Sequence, residues 1–427
     1  MSAPDQTASC ASARRGRILA FCAVLHGFTH LYNVALIPLY VRIEQDLGLA
    51  SLAQATFLMT AMMTAYFLPS YPVGAAIERI GRRRALGWGL VVNGIGFVIL
   101  SQARSYEAAL AGAAVAGFGG SFYHPAATAW IAQLYPTRPG RALGVAGVGA
   151  NAGFFLGPVY AGWRADAAGW RAPVLELGLL GTAVAFLFLA LTREEGDGVS
   201  SGRRAVAPTE RSAAPSAPAA LWLWVAATAA ALSLRDFAGC AAASGGSLLL
   251  ARGHHFSAGA TGLILSAVYL AGMIANPLFG ALGDRNPLRW LGGLLAASAL
   301  AVAALPFLKG AWAPIGFFLF GLVFMGNYPV TEGLLMRSVP STAQSRVMGL
   351  FIAIAGPLGN LGHWWAGWVA ERLPRGNAPN GYWPLFLGCA LLILASLGAL
   401  PCFRGIRRSV ATVSAEADSK PDTTPKP

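Results

Sequence analysis

Eight polar side chains interrupt long apolar stretches of this chain: His26, His30, Asn33, His124, Arg235, Asp236, Asn327 and Glu332. Where such stretches cross a bilayer, a charged group at the centre costs at least ~2.5–3.5 kcal/mol, so each needs a reason to be there. His26 and His30 are four apart and share one helix face, a spacing that serves a proton relay or one edge of a metal site. No third ligand lies near them in sequence, so a relay or cavity-lining hydrogen-bonding role is expected, with a satisfied packing histidine as the alternative, and no metal site is assigned. Asp236 is the first candidate for a group that takes up and releases a proton; the alternative is a fixed ion pair with Arg235 or with another helix. Being adjacent, the two project about 100° apart on a helix and need not pair. The guanidinium of Arg235 offers a planar fork of donors suited to an anionic solute, unless it neutralises Asp236 or Glu332. Glu332, close to the end of its stretch, suits a gate salt bridge as well as a coupling role. His363, near Asn360, is a second-rank candidate. Glu176 is expected at an interface, and His254 and His255 in a solvated loop.

The elements that hold these residues are apolar runs of membrane length. The chain has 427 residues, 56% hydrophobic and 11% charged, whereas soluble domains carry about 25% charged residues. Twelve spans are predicted, at 17–40, 54–77, 84–103, 107–134, 141–163, 172–192, 219–250, 257–282, 288–307, 311–336, 346–370 and 382–403. Runs of this length can cross a hydrocarbon core of about 30 Å. Arg14, Arg15 and Arg17 precede the first run as in a signal peptide, but no small-residue cleavage site follows, so the run is expected to be retained. The five cysteines form no CxxC pair and are expected to be reduced packing residues.

The formal charge of +13 invites a nucleic-acid reading, which the positions of the basic residues oppose. Of the 31 Lys and Arg, 22 fall in the N-terminal segment, the C-terminal tail and the loops on the same side as both. The alternate loops hold Arg42, Arg104, Arg164, Arg171, Arg252, Lys309, Arg372 and Arg375. By the positive-inside rule the richer side is cytoplasmic, so the basic excess reflects orientation and no nucleic-acid partner is expected. The layout becomes a cytoplasmic segment 1–16, a six-helix half 17–192, a linker 193–218 rich in Ser, Ala, Pro and Gly, a second half 219–403, and a polar, disordered tail 404–427.

The halves repeat at an offset of about 205 residues. Gly74-Ala75-x-x-Glu78-Arg79 returns as Gly280-Ala281-x-x-Asp284-Arg285, each time after the second helix of its half. Pro125 returns as Pro329, and Gly144, Gly157 and Ala161-Gly162-Trp163 return as Gly349, Gly362 and Ala366-Gly367-Trp368. Parallel six-helix repeats of this kind resemble the major facilitator superfamily. The resemblance covers nearly the whole chain and implies an all-α membrane protein of twelve transmembrane helices in two pseudo-symmetric halves.

Gly74 to Arg84 resembles the family loop that helps hold the cytoplasmic gate, with Glu78 where Asp is usual. By repetition Arg79, Asp284 and Arg285 join that group. Gly144, Gly153, Gly157-Pro158 and Ala161-Gly162 resemble the helix-five motif of antiporters. Small residues there let helices approach closely, and Pro158 frees a carbonyl. Ala113 stands where proton-driven drug exporters carry an Arg. Gly117 to Pro125, His30 to Asn33 and Leu234-Arg235 resemble the fosmidomycin-resistance branch, although Val34 and Ala126 occupy positions where that branch has acids. The candidates fall on spans one, four, seven and ten, which line the central cavity in the family.

No GxSxG, HExxH or P-loop is present, so neither an enzyme nor an ATP-driven pump is expected, and no cofactor. The resulting expectation is proton-coupled export of a small organic solute by a monomer embedded in the lipid of the inner membrane. Uptake by symport or facilitated diffusion of an anionic metabolite is the alternative, and a non-transporting membrane sensor is the reading from another class.

Overall fold

The structure is a computed structural model that describes residues 3–192, 219–340, 343–373 and 378–418. The expected linker, 193–218, and the last residues of the tail, from 419, lie outside the described residues. Helices account for all the regular structure among the described residues.

In the first half, α1 (Ala3–Ala35) continues through a short 3-10 turn into α2 (Tyr40–Asp46). Four further passes run from α3 (Leu52–Phe67) with α4 (Ser70–Ile80), through α5 (Arg82–Gln102) and α6 (Tyr106–Gly120) with α7 (Tyr123–Leu134), to α8 (Pro139–Ala168), and α9 (Arg171–Leu191) is the sixth. The second half repeats the order with α10 (Ala219–Leu248), α11 (Ala258–Gly283), α12 (Pro287–Ala304), α13 (Trp312–Met325) with α14 (Asn327–Arg337), and α15 (Gln344–Ala370). The twelfth pass is α16 (Trp383–Ala395), running on into α17 (Ala399–Asp418). The twelve expected passes are all present.

The fourth and tenth passes break at matching places for one reason. Pro125 and Pro329 are each the third residue of the restarting helix, α7 and α14. Proline has no N–H to offer the carbonyl four residues back, so each sits where a helix begins and needs none. A Cβ on Gly74 would lie 3.7 Å from Pro125, and one on Gly280 would lie 3.6 Å from Pro329. The sequence repeat is therefore a repeat of contacts.

Within the halves α1 packs on α8 as α10 packs on α15; across them α8 meets α11 and α3 meets α15. Glycine sets the first pairing: a Cβ at Gly149 or Gly153 would overlap the carbonyl oxygens of Ala23 or Gly27, and one at Gly157 would stand 2.8 Å from that of Leu31. Van der Waals packing through small residues is the main source of association where lipid offers no hydrophobic gain. Exposed Trp163, Trp312 and Trp383 lie at one membrane level, the end of α8 and the starts of α13 and α16, as an interfacial aromatic belt does.

One terminal expectation changes. The segment 1–16, for which no conformation was expected, is helical from Ala3 as a continuation of α1. The tail expected to be disordered after Phe403 is helical to Asp418. Phe403 and Ile406 are fully buried where α17 docks on α10, an apolar face that polar composition alone conceals.

Candidate functional site between the two halves

In the first half the site is a histidine cluster. His26 Nδ1 lies 3.0 Å from the Ala146 carbonyl of α8. A carbonyl only accepts, so in the neutral ring the proton sits on Nδ1 and Nε2 is bare. His30 Nε2, 3.0 Å from His26 Nε2, must then donate, which leaves His30 Nδ1 without a proton, buried and without a hydrogen-bond partner. His124, in the first turn of α7, completes a trio in which one nitrogen from each ring lies within 4.8 Å of the others. Tyr123 stacks on His26 at 4.4 Å and donates to the Cys22 carbonyl at 2.7 Å. Phe154 packs on His30 and stacks on Tyr269 of the other half at 5.0 Å. Asn33 is half-buried beside Tyr66.

The second half holds an ion pair at the corresponding place. Arg235 is 1% exposed, and its Nε and Nη2 reach Asp236 Oδ1 at 3.0 and 2.8 Å. Its Nη1 donates to Thr331 Oγ1 at 3.1 Å, and its guanidinium lies 4.4 Å from the centre of the Tyr328 ring. Tyr328 closes the group by donating its hydroxyl to Asp236 Oδ1 at 3.0 Å. The two neighbours thus do pair, against the divergence that helix geometry suggests, because the long arginine stem lets the guanidinium reach Asp236 as well as Thr331 and Tyr328 of α14. The pair also answers the cost of burying a lone charge. His124 and Tyr328 each precede the proline of the broken pass, and His30 corresponds to the Arg235–Asp236 pair in the repeat.

Glu332, one turn beyond Tyr328, is exposed but lies close enough to Arg235 for the two charges to interact. Asn327 is fully buried inside the second half, donating to Ser298 Oγ at 3.2 Å and to the Val323 carbonyl at 3.0 Å. Glu78, Arg79, Asp284 and Arg285 are all exposed; Asp284 pairs with Arg337 at 2.5 Å, within its own half. Glu176 binds Arg164 at 2.8 Å.

The contacts that close the halves were not among the expected gate residues. They lie on the face opposite the chain termini. Arg252 pairs with Glu44 at 2.5 Å, and Asp166 accepts from the backbone N–H groups of Ala258 and Gly259 at 3.1 and 2.8 Å. Glu371 accepts from Ala53 N–H at 3.3 Å. Deeper in, Ser244 Oγ lies 2.7 Å from His363 Nδ1 and 3.1 Å from the Tyr40 hydroxyl, and Thr60 donates to the Asn360 carbonyl at 2.9 Å. On the terminal side Gly144, Gly147 and Gly349 face open space. The contacts between the halves described above thus gather on the face opposite the termini and in the middle of the helices. A carboxylate at the end of one pass and the N-terminus of the next one over give no periodic signal, so sequence reading had little means of finding this seam.

Comparison with known proteins agrees with this architecture. The sequence profile of the Major Facilitator Superfamily matches residues 19–362. The chain is 29% identical over 336 residues to multidrug resistance protein MdtG of Serratia proteamaculans, covering 73% of this chain and 76% of that one. It is 30% identical over 140 residues to a multidrug resistance protein B homolog of Mycobacterium tuberculosis, a match that spans 26% of that relative. Among solved structures, a bacterial homologue of the human lysosomal transporter Spinster, inward-facing and unoccupied, superposes with a TM-score of 0.77 at 16% identity, over 93% of this chain and 98% of that one. A peptide transporter bound to alafosfalin gives 0.70 at 16% identity, over 92% and 95%. With twelve passes in two repeated halves and a family match over most of its length, the chain belongs to the major facilitator superfamily and is a multi-pass membrane transporter.

Proposed function

We propose that the chain is a proton-coupled exporter of a small organic solute, alternating between states open to either face of the inner membrane. The observation that carries the reading is Asp236, a mid-membrane acid on α10 whose Oδ1 holds both Arg235 and Tyr328. Asp236 is the group placed to take up and release the coupling proton, and Arg235 beside it offers a planar fork of donors to an anionic solute. The two multidrug resistance relatives favour efflux as the direction, with fosmidomycin-like amphipathic anions as the substrate class. The basic excess of the terminal-side loops supports a cytoplasmic location for that side, which makes the seam between the halves external.

The test is a panel of small anions, cations and neutral solutes in proteoliposomes under an imposed pH gradient. Wild-type protein is expected to accumulate an amphipathic anion against its gradient. Asp236→Asn is expected to lose gradient-driven accumulation while retaining exchange. An unchanged response to the pH gradient in that variant transfers the coupling role to Glu332 or to the histidines.

A further inference from the structure

We propose that His26, His30 and His124 form a binding site for a divalent transition-metal ion, open on one side to the gap between the halves. The trio brings one nitrogen from each ring within 4.8 Å of the others, although His124 lies on a different pass from the first two. His26 Nε2 and His30 Nε2 are 3.0 Å apart. Two ligands of a tetrahedral ion with metal–nitrogen bonds of about 2.0–2.1 Å stand only slightly farther apart than this. The contact also requires something positive between two nitrogens that each carry a lone pair in one tautomer. A proton meets that need in the neutral pair, and a metal ion meets it equally.

The support around the rings is of the kind that metal sites use. A metal-binding histidine donates its other N–H to a carbonyl or carboxylate, which fixes its orientation and tautomer. Ala146 does this for His26 at 3.0 Å, and Tyr123 holds the ring from its face. His30 Nδ1, buried with no protein partner, leaves the tautomer of that ring free to present a bare Nε2. His124 is the exposed member, so it can swing to close the site and leaves the fourth position accessible to water or to a donor atom of a solute. The three neutral imidazoles carry no carboxylate among them. That ligand set selects Zn2+, Co2+, Ni2+ or Cu2+ over the hard cations Mg2+ and Ca2+. The metal site stands independently of Asp236, which belongs to the other half.

The test uses the full chain without an affinity tag, in detergent or nanodiscs, with His254 and His255 replaced by alanine to remove loop binding. Titration with Co2+ alone is expected to give one ion per chain with the visible absorption of a tetrahedral site, and Zn2+ is expected to displace it. Loss of a mere supporting group costs about 10–100-fold in metal affinity, so His124→Ala should weaken Co2+ binding at least about tenfold. That variant is the decisive one because its ring is exposed, whereas His26→Ala or His30→Ala disturbs packing against Ala146 or Phe154. Equal Co2+ affinity in wild type and His124→Ala overturns the proposal. So does binding by this protein no greater than that of a variant carrying His26→Ala, His30→Ala and His124→Ala together, which leaves the trio as a proton relay.

Discussion

At the scale of single residues, the two halves solve one problem in different ways: how to keep polar groups in the middle of a membrane. The first half uses neutral rings that hydrogen-bond to each other and to a backbone carbonyl. The second uses opposite charges with a tyrosine bridging them. Breaking a buried pair by removing one partner strands the other charge, at a typical cost of about 3–5 kcal/mol. Arg235→Gln is therefore expected to lower thermal stability strongly in detergent, and Arg235→Gln combined with Asp236→Asn to recover most of the loss. Additive losses in the double variant, measured by thermal unfolding, contradict the pairing. Where transport can be measured, Arg235→Lys should keep a charge but weaken two-point recognition of an anion. The sequence exposed these residues because polar side chains stand out against apolar runs. It did not reveal which of them meet, since His124 is 94 positions from His30 and only the packing of α7 beside α1 unites them.

At the scale of elements, glycine spacing on α8 was legible as a packing motif, and the structure gives its partner: α1, with Gly149, Gly153 and Gly157 against the backbone of Ala23, Gly27 and Leu31. Gly162 on the same helix touches α11 of the other half, where a Cβ would overlap the Ala258 carbonyl. The helix thus has one fixed contact and one that must open as the halves rock. Gly157→Leu should cut the initial transport rate severely, and Gly153→Leu should also reduce the yield of folded protein because its neighbour is backbone that cannot yield. A normal rate for Gly157→Leu in proteoliposomes, or a normal size-exclusion yield for Gly153→Leu, is incompatible with this packing. Long apolar helices were readable from hydropathy and their breaks from proline. The helical tail was not, because docking of Phe403 and Ile406 on α10 is a tertiary event.

At the scale of the whole molecule, orientation and the closed seam are linked. If both termini are cytoplasmic, as proposed, cysteines introduced in the segment Arg193–Pro218 should resist an impermeant thiol reagent applied to intact cells; labelling from outside reverses the assignment. The seam then lies on the external face, and its strongest element is Asp166. This carboxylate accepts from two N–H groups that begin α11, while Ser257 caps the same helix end through Ala260 N–H. Arg42 holds Asp166 in place at 2.7 Å and donates to the Ala165 carbonyl at 2.8 Å. A negative group at a helix N-terminus is stabilised by the unpaired donors there and by the helix dipole. Because Asp166 and α11 belong to different halves, that stabilisation exists only while the external face is shut. Loss of a helix cap costs about 0.5–2 kcal/mol. Asp166→Ala should therefore shift the balance away from the externally closed state by about 2- to 30-fold, with little change in the stability of either half. Spin-label distances across the external and cytoplasmic ends of α8 and α11 read this directly: the external distance should lengthen in a larger fraction of molecules and the cytoplasmic one shorten. Unchanged distance distributions in Asp166→Ala show that the seam is held elsewhere, and Glu44 with Arg252 then becomes the pair that keeps the external face closed.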